Sequence, residues 1–163
     1  MSEDIVLEDL PASPGEAGGM CNGMAETSRA ILRLRESGIP VHAVSDTLIG
    51  SAAFGLAASC DAIGITETTM VGSIGAFCAV LDSSKAYEME GLKVEVIKSG
   101  DLKGEVAGTT LSKEQRANLQ STVDFFGEQF RQIVRQGRMI EEKLMQGQVF
   151  IGPEAVANGF ADT

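Results

Sequence analysis

The fold of this chain is decided by one run of small residues, Gly50-Ser51-Ala52-Ala53-Phe54-Gly55-Leu56-Ala57-Ala58. An apolar, strand-like segment precedes the run at residues 41–44, and a second one follows it at residues 62–65. We therefore predict a helix over residues 51–59 that connects two strands. Strand-like and helical segments continue to alternate along the rest of the chain, which predicts an α/β fold.

The other predicted elements follow from apolar periodicity and from turn residues. Predicted strands occupy residues 5–7, 74–81, 94–97 and 149–151. Predicted helices occupy residues 19–36, 84–89 and 141–146, and a final helical turn starts at Pro153. The capping-box pattern Ser112-Lys-Glu-Gln115 starts a long helix. Residues 102–110 lack periodicity and are predicted to form a loop.

Length and charge limit the class of protein. With 163 residues, the chain is long enough for one domain with its own core. The net charge of −10 argues against a surface for nucleic acid or for anionic membranes, so no nucleic-acid partner is expected. Residues 1–10 carry four acids and no basic segment, unlike a signal peptide. The longest weakly polar stretch, residues 48–60, is too short for a transmembrane segment.

Cysteine and histidine content argues against disulfide and metal chemistry. Cys21, Cys60 and Cys78 are odd in number and lack C-x-x-C spacing, so we expect reduced thiols buried as small apolar side chains. His42 is the single histidine, whereas a zinc site needs three or four ligands. We therefore expect no metal and no cofactor. A Ser-His-Asp triad would have to use His42, nine residues before Ser51 in a strand-like run, and is disfavoured.

Ser51 is the candidate nucleophile. A serine hydroxyl reacts poorly unless a base removes its proton. At a strand-to-helix junction the backbone N–H groups favour negative charge, and the small Ala52 and Ala53 leave room for a substrate backbone. Taken alone, Ser51 is explained more simply as the N-cap of the helix.

Lys103, 52 residues after Ser51, is the candidate general base. A lysine amine accepts a proton only when it is neutral, which requires burial that lowers its pKa. Asp101 and Glu105 flank this position and would favour the charged amine, so their side chains must point away. Taken alone, Lys103 is explained more simply as a solvated surface lysine.

Three further residues complete the candidate site. Ser73, 22 residues after Ser51, is a candidate to hydrogen-bond the lysine amine and orient it. The backbone N–H groups of Gly15 and Ala52 are candidates for an oxyanion hole. Ser73 and Gly15 also suit ordinary turns, and that alternative stays open.

Five ordered segments together resemble the signal peptide peptidase A family of serine peptidases, including its phage capsid-protease branch. The segments cover nearly the whole chain, and each is weak by itself. They are Ser13-Pro14-Gly15, Ser51-Ala52-Ala53-Phe54, Gly72-Ser73-Ile74-Gly75, Lys103-Gly104-Glu105 with the preceding Lys98-Ser99-Gly100, and the closing stretch from Gly147 to Asp162.

The resemblance implies a ClpP/crotonase-like α/β fold, with repeated β-β-α units, a mainly parallel sheet and flanking helices. It implies a Ser–Lys dyad of Ser51 and Lys103, with Ser73 as the orienting group. It also implies peptide or protein substrates and a homo-oligomer with active sites near subunit interfaces, where Lys103 serves its own or an adjacent chain. The expected location is cytoplasmic, membrane-associated through segments outside this chain, or in a phage procapsid.

Departures from the family pattern leave alternatives open. Glu16 stands where the family has a second glycine beside Gly15, which adds a carboxylate near the expected oxyanion hole. We also expect residues 1–163 to be a single peptidase domain, shortened at its N-terminus and just after its last helix. One alternative is a catalytically inactive assembly subunit of the same fold. Another is a crotonase-type acyl-CoA enzyme, which the acidic charge disfavours.

Overall fold

The computed structural model describes the backbone of residues 5–7 and all of residues 23–163. The described chain forms two compact units. The first contains the residues up to Gly75 together with Phe126–Thr163, and the second contains Ala76–Phe125. Both site serines predicted above belong to the first unit, and Lys103 belongs to the second.

Six strands, five α-helices and a short 3-10 helix make up the regular structure of these residues. The strands are β1 (Ile5–Leu7), β2 (Val41–Ser45), β3 (Leu48–Gly50), β4 (Ala62–Ile65), β5 (Met70–Gly72) and β6 (Val149–Ile151). The helices are α1 (Met24–Glu36), α2 (Ala52–Ala57), α3 (Ser84–Met89), α4 (Lys113–Gly137) and α5 (Pro153–Ala157), and the 3-10 helix is Glu142–Leu144.

The strands form two three-stranded sheets. One has the order β1-β2-β4 with both pairs parallel, and His42 lies opposite Ala62. The other has the order β3-β5-β6, in which β3 and β5 are parallel and β6 is antiparallel to β5. Parallel neighbours need crossover connections, and α1 and α2 supply them between β1, β2 and β4. This mixed architecture with mainly parallel pairing confirms the predicted α/β class.

An aromatic cluster fixes the small-residue helix in the core of the first unit. Phe54 of α2 and Phe160 are fully buried, with ring centroids 5.1 Å apart, and Phe150 of β6 lies 4.8 Å from Phe160. On another side of α2, a Cβ added at Gly55 would come within 2.7 Å of the Met24 sulfur on α1. The small residues of α2 thus permit close packing, which holds the start of the helix in place.

Two predicted strands are wrong. Residues 74–81 and 94–97 form no strand, although their sequence is apolar. A strand needs a partner for its hydrogen-bond ladder, and within the described chain neither segment pairs with another. Phe77 and Ile97 are almost completely exposed, at 89% and 96%. Apolar sequence therefore did not indicate burial in this part of the second unit.

Other boundaries differ in smaller ways. The prediction missed β3 and β5, because three-residue strands are too short to give a recognisable period. The helix predicted over 19–36 is described from Met24 onward, and residues 19–22 lie outside the described part. The helix predicted over 141–146 is a single 3-10 turn.

The capping box at the start of α4 is confirmed. The Ser112 N–H donates to Gln115 Oε1 at 2.9 Å, and the Gln115 N–H donates to Ser112 Oγ at 3.1 Å. These reciprocal bonds satisfy two N–H groups at the helix start that would otherwise lack partners.

The cysteine prediction is confirmed in part. Cys60 is free and buried, and burial raises the pKa of its thiol to about 11. Cys78 is free but exposed, so the expectation of burial is wrong there, because it belongs to the unpaired segment 74–81. Cys21 lies outside the described residues. Of the helices in the described chain, none combines the length and the apolar character that crossing a membrane requires.

Candidate active site

Ser51 occupies a strained turn between a strand and a helix. β3 ends at Gly50, α2 begins at Ala52, and Ser51 between them has φ 53° and ψ −129°. Residues with a side chain rarely adopt this region, and holding one there costs about 1–3 kcal/mol. Such strain persists where the surrounding structure enforces it, and it is concentrated at functional sites. The turn therefore marks Ser51 as a candidate functional residue on conformational grounds alone.

The Ser51 hydroxyl does not serve as a helix cap. Ser51 holds the N-cap position of α2, yet its side chain makes no capping hydrogen bond. A capping serine would accept a hydrogen bond from an N–H of the first helical turn. The simpler explanation of Ser51 as an N-cap therefore lacks its expected contact.

Ser73, like Ser51, has a positive φ. Its φ is 56°, and among the non-glycine residues of the described chain only Ser51 and Ser73 have positive φ. The Ser73 N–H donates to the carbonyl oxygen of Gln148 at 2.7 Å. The preceding Gly72 has φ 130°, and a Cβ there would lie 2.5 Å from that same oxygen. Only glycine fits this close approach, so Gly72 fixes the geometry of the turn that carries Ser73.

The sheet brings the two serines to neighbouring positions. Gly50 and Gly72 are register partners in the parallel pair β3–β5, and each serine is the next residue after its glycine. The Ser51 N–H donates to the Gly72 carbonyl at 2.9 Å. Both serines are half-buried. In open α/β sheets, the carboxyl ends of parallel strands are the usual position of ligand sites.

Ala52 is the first residue of α2. The first N–H groups of an α-helix have no intrahelical acceptor, and in α2 the bond from the Gly55 N–H to the Ser51 carbonyl, 3.2 Å long, is the first of the helix. The Ala52 N–H thus lies next to Ser51 at the start of the helix. Gly15, the other predicted oxyanion donor, and Glu16 both lie outside the described residues.

Lys103 lies in a closed turn of the second unit. Its N–H donates to the Gly100 carbonyl at 3.0 Å, and its carbonyl accepts a hydrogen bond from Gln115 Nε2 at 3.3 Å. The side chain is exposed. Within the described chain, Lys103 makes no ion pair with Asp101 or Glu105.

The second unit also contains a cleft of about 330 Å³. Its lining is mixed: Phe77, Val80 and Val123 are apolar, and Asp82 and Arg116 add opposite charges. A cleft of this size and character suits an apolar side chain with a nearby polar group. For the residues that the structure describes, no group of three His, Cys, Asp or Glu side chains is arranged to hold a metal ion.

The sequence predicts the two serines, Ala52 and Lys103 as candidate site residues, but it does not single out the residues that hold their backbones in place. Gly72 belongs to the quoted Gly72-Ser73-Ile74-Gly75 motif, and its restricted geometry depends on Gln148, far away in sequence. Gln115 was recognised for its capping box and not for its bond to Lys103. The sequence signal for this turn is the glycine before Ser73, because glycine is common where backbones approach closely.

Comparison with known proteins gives a consistent family. The family model described as Peptidase family S49 matches residues 33–163. A protein of Enterococcus faecium whose name carries the designation signal peptide peptidase SppA is 26% identical over 99% of this chain and 48% of its own length. Capsid assembly protease C of Escherichia phage lambda is 30% identical over 99% of this chain and 37% of its own length. The chain thus spans less than half the length of these relatives.

One of the solved structures that the comparison returns is a mutant of a membrane-bound stomatin-specific protease in complex with a substrate peptide. It is 10% identical, with a TM-score of 0.34, and the alignment covers 99% of this chain and 75% of that one.

Proposed function

Since this chain belongs to peptidase family S49, we propose that it is a serine endopeptidase with Ser51 as nucleophile and Lys103 as general base. The observation that carries the proposal is the strained backbone of Ser51, whose hydroxyl makes no capping bond. A strained strand-to-helix turn is how other hydrolases present a nucleophilic serine. The neighbouring Ser73 adds a second hydroxyl at the same end of the sheet.

The proposed reaction proceeds through an acyl-enzyme. The neutral amine of Lys103 takes the proton of Ser51 Oγ while that oxygen attacks the scissile carbonyl carbon. The N–H groups of Ala52 and Gly15 stabilise the oxyanion. The intermediate collapses as the lysine returns the proton to the leaving amine nitrogen, which leaves an ester on Ser51. Water, activated by the same lysine, then hydrolyses the ester and regenerates the hydroxyl.

Ser73 is proposed to orient the base. Its hydroxyl can accept a hydrogen bond from a lysine ammonium and donate one to a neutral amine. A third group that orients the base is the general arrangement of catalytic triads. The register of β3 and β5, which makes Ser51 and Ser73 neighbours, supports this role.

A lysine that acts as a general base must be shielded from water, whereas Lys103 is exposed among the residues that the structure describes. An exposed ammonium stays protonated near neutral pH, and desolvation is what favours the neutral amine. We propose that a neighbouring subunit of a homo-oligomer and the bound substrate shield the Lys103 amine from water. The working site then lies near a subunit interface. Lys103 then serves Ser51 of its own chain or of an adjacent one.

The proposed substrates are apolar peptides or proteins. The apolar side chains that line part of the cleft in the second unit, among them Phe77, Val80 and Val123, support such substrates. The names of the relatives point to two classes, signal-peptide remnants and phage capsid or scaffold proteins. The corresponding locations are the cytoplasm, the membrane through segments outside this chain, or the procapsid. Residues 1–163 are proposed to act as a single peptidase domain.

Cleavage of casein and of an apolar peptide tests the proposal, with subunit mass in solution measured in parallel. Wild type and Lys93→Ala, a matched exposed lysine of the second unit, should cleave equally. Ser51→Ala and Lys103→Ala should lose turnover while keeping the same oligomer. Retained activity in Lys103→Ala would exclude the dyad.

A non-catalytic assembly subunit is the second candidate. The observation that favours it is the exposure of large apolar side chains in the second unit, with Phe77, Leu81 and Ile97 each more than four-fifths exposed. Exposed apolar surface of this kind is typical of interaction sites. Oligomers that form normally while wild type and Ser51→Ala show equally little cleavage would support this candidate.

A further inference from the structure

We infer that Gln115 is a positioning residue for Lys103, an inference that rests on the proposed role of Lys103 as the base. Gln115 lies in the first turn of α4 and is buried, with 5% exposure. Its Nε2 donates to the Lys103 carbonyl oxygen at 3.3 Å, and its Oε1 accepts from the Ser112 N–H at 2.9 Å. One side chain thus connects the start of a long helix to the backbone of the lysine.

The amide is the only side-chain chemistry of this length that makes both bonds. The capping box needs an acceptor at this position, and a glutamate supplies one as well as a glutamine does. The second bond needs a donor facing a carbonyl oxygen, which an ionised carboxylate lacks. Gln115 therefore satisfies the helix start with one end and leaves the other end for Lys103.

Further contacts close the turn around the lysine. The Lys103 N–H bonds the Gly100 carbonyl at 3.0 Å, and Lys98 Nζ donates to the Asp101 carbonyl at 2.7 Å. Gly104 has φ 91°, and a Cβ there would lie 2.5 Å from Val96 Cγ1. These contacts hold the backbone before and after Lys103.

A fixed backbone matters because the lysine stem is long and flexible. Lysine loses rotamer entropy when its amine is held in one geometry. When the lysine backbone is fixed, its amine can occupy fewer positions relative to the serine hydroxyl. Misplacement of a reacting group by about 1 Å can slow a reaction about 100-fold. Gln115 acts through the Lys103 backbone and is not proposed to contact the reacting atoms.

The variant Gln115→Glu tests positioning, because it keeps the capping acceptor and replaces the donor to the Lys103 carbonyl by a charged acceptor, a charge that the control variant must match. We expect kcat to fall about tenfold, with KM and Tm close to wild type. We also expect trypsin to cut after Lys103 about tenfold faster, since cleavage requires local opening of the turn. The cut after Lys93 in the same digest is the internal standard.

Gln129→Glu is the matched control. Gln129 lies on the same helix outside the cleft, its Nε2 donates to Gln132 Oε1 at 3.3 Å, and the change introduces the same charge. It should leave both kcat and the tryptic rate at Lys103 unchanged. Should Gln115→Glu unfold, Gln115→Met, uncharged and of similar length, is compared with Ser112→Ala, which disrupts the capping box but keeps the Gln115 side chain; only Gln115→Met should show the lower kcat and the faster cut after Lys103.

The kcat of the variants and the rate of tryptic cleavage after Lys103 test different claims. If wild type does not cleave peptides, the proposed function falls, while the tryptic rate still decides whether Gln115 holds the lysine turn. Unchanged trypsin cutting after Lys103 in Gln115→Glu would overturn the tether. Faster cutting with an unchanged kcat in an active enzyme would overturn the positioning role.

Discussion

Ser51 donates its backbone N–H to the carbonyl oxygen of Gly72 at 2.9 Å. This bond joins the turn that carries the proposed nucleophile to the residue just before Ser73. Since both serines have positive φ and follow register partners of β3 and β5, the backbone alone aligns them at one end of the sheet. The geometry of the serine pair thus depends on glycines that carry no chemistry themselves.

Gly72→Ala should therefore unfold or strongly destabilise the first unit. The added Cβ would lie 2.5 Å from the Gln148 carbonyl, and φ 130° is strained for any side chain. We expect a loss of more than about 2 kcal/mol in the free energy of unfolding, measured by urea denaturation.

Gly75→Ala is the control for that substitution, because nothing lies within 4 Å of its added Cβ. It should change the urea midpoint little. Equal midpoints for Gly72→Ala and Gly75→Ala would show that Gly72 does not constrain the turn.

Two substitutions at Ser73 separate the effect of its backbone strain from the effect of losing its hydroxyl. Ser73→Gly relieves the positive φ of 56° and should raise Tm by about 2–4 °C over Ser73→Ala. Both variants lack the hydroxyl, so both should lose most peptidase activity. Thermal melting and a peptide assay on the same samples measure the two effects. Full activity in Ser73→Gly would remove the proposed orienting role, whatever its stability.

Asp162 should make stability depend on pH in the acid range. Its hydrogen bond from Arg138 Nη1, with that from the Ile63 N–H, holds the pKa of this carboxyl below its usual value. A lowered folded pKa stabilises the protein above the unfolded value of about 3.9, and this contribution is lost as pH falls through the folded pKa.

Urea midpoints of wild type and Asp162→Asn, measured between pH 7 and pH 2, test this. The variant should be less stable above about pH 5, and the difference should shrink below about pH 4. A difference that stays constant down to pH 2 would mean that the ionised form of Asp162 contributes nothing.

Sequence patterns predicted the parts of this fold that depend on local order. The strands at Val41–Ser45 and Ala62–Ile65 were recognisable because both are apolar and bounded by turn residues. The capping box was recognisable because its two partners lie three residues apart. The order of the motifs predicts Ser51 and Ser73 as candidate site residues, and the structure adds that both have positive φ.

The remaining features depend on contacts between distant residues. The acceptor of the Ser73 N–H is Gln148, and the donor to the Lys103 carbonyl is Gln115, neither of which has a local signature. Residues 74–81 resemble a strand in composition but find no partner among the described residues. Whether an apolar segment pairs is decided by the rest of the chain and not by its own pattern.

The most direct test of the account is the reaction of a fluorophosphonate probe with the folded protein, followed by intact mass and peptide mapping. We expect one adduct on Ser51 in wild type, none in Ser51→Ala, and labelling at least about 100-fold slower in Lys103→Ala. Absence of an adduct on Ser51 in a folded wild-type oligomer, or equal labelling rates in wild type and Lys103→Ala, would contradict it.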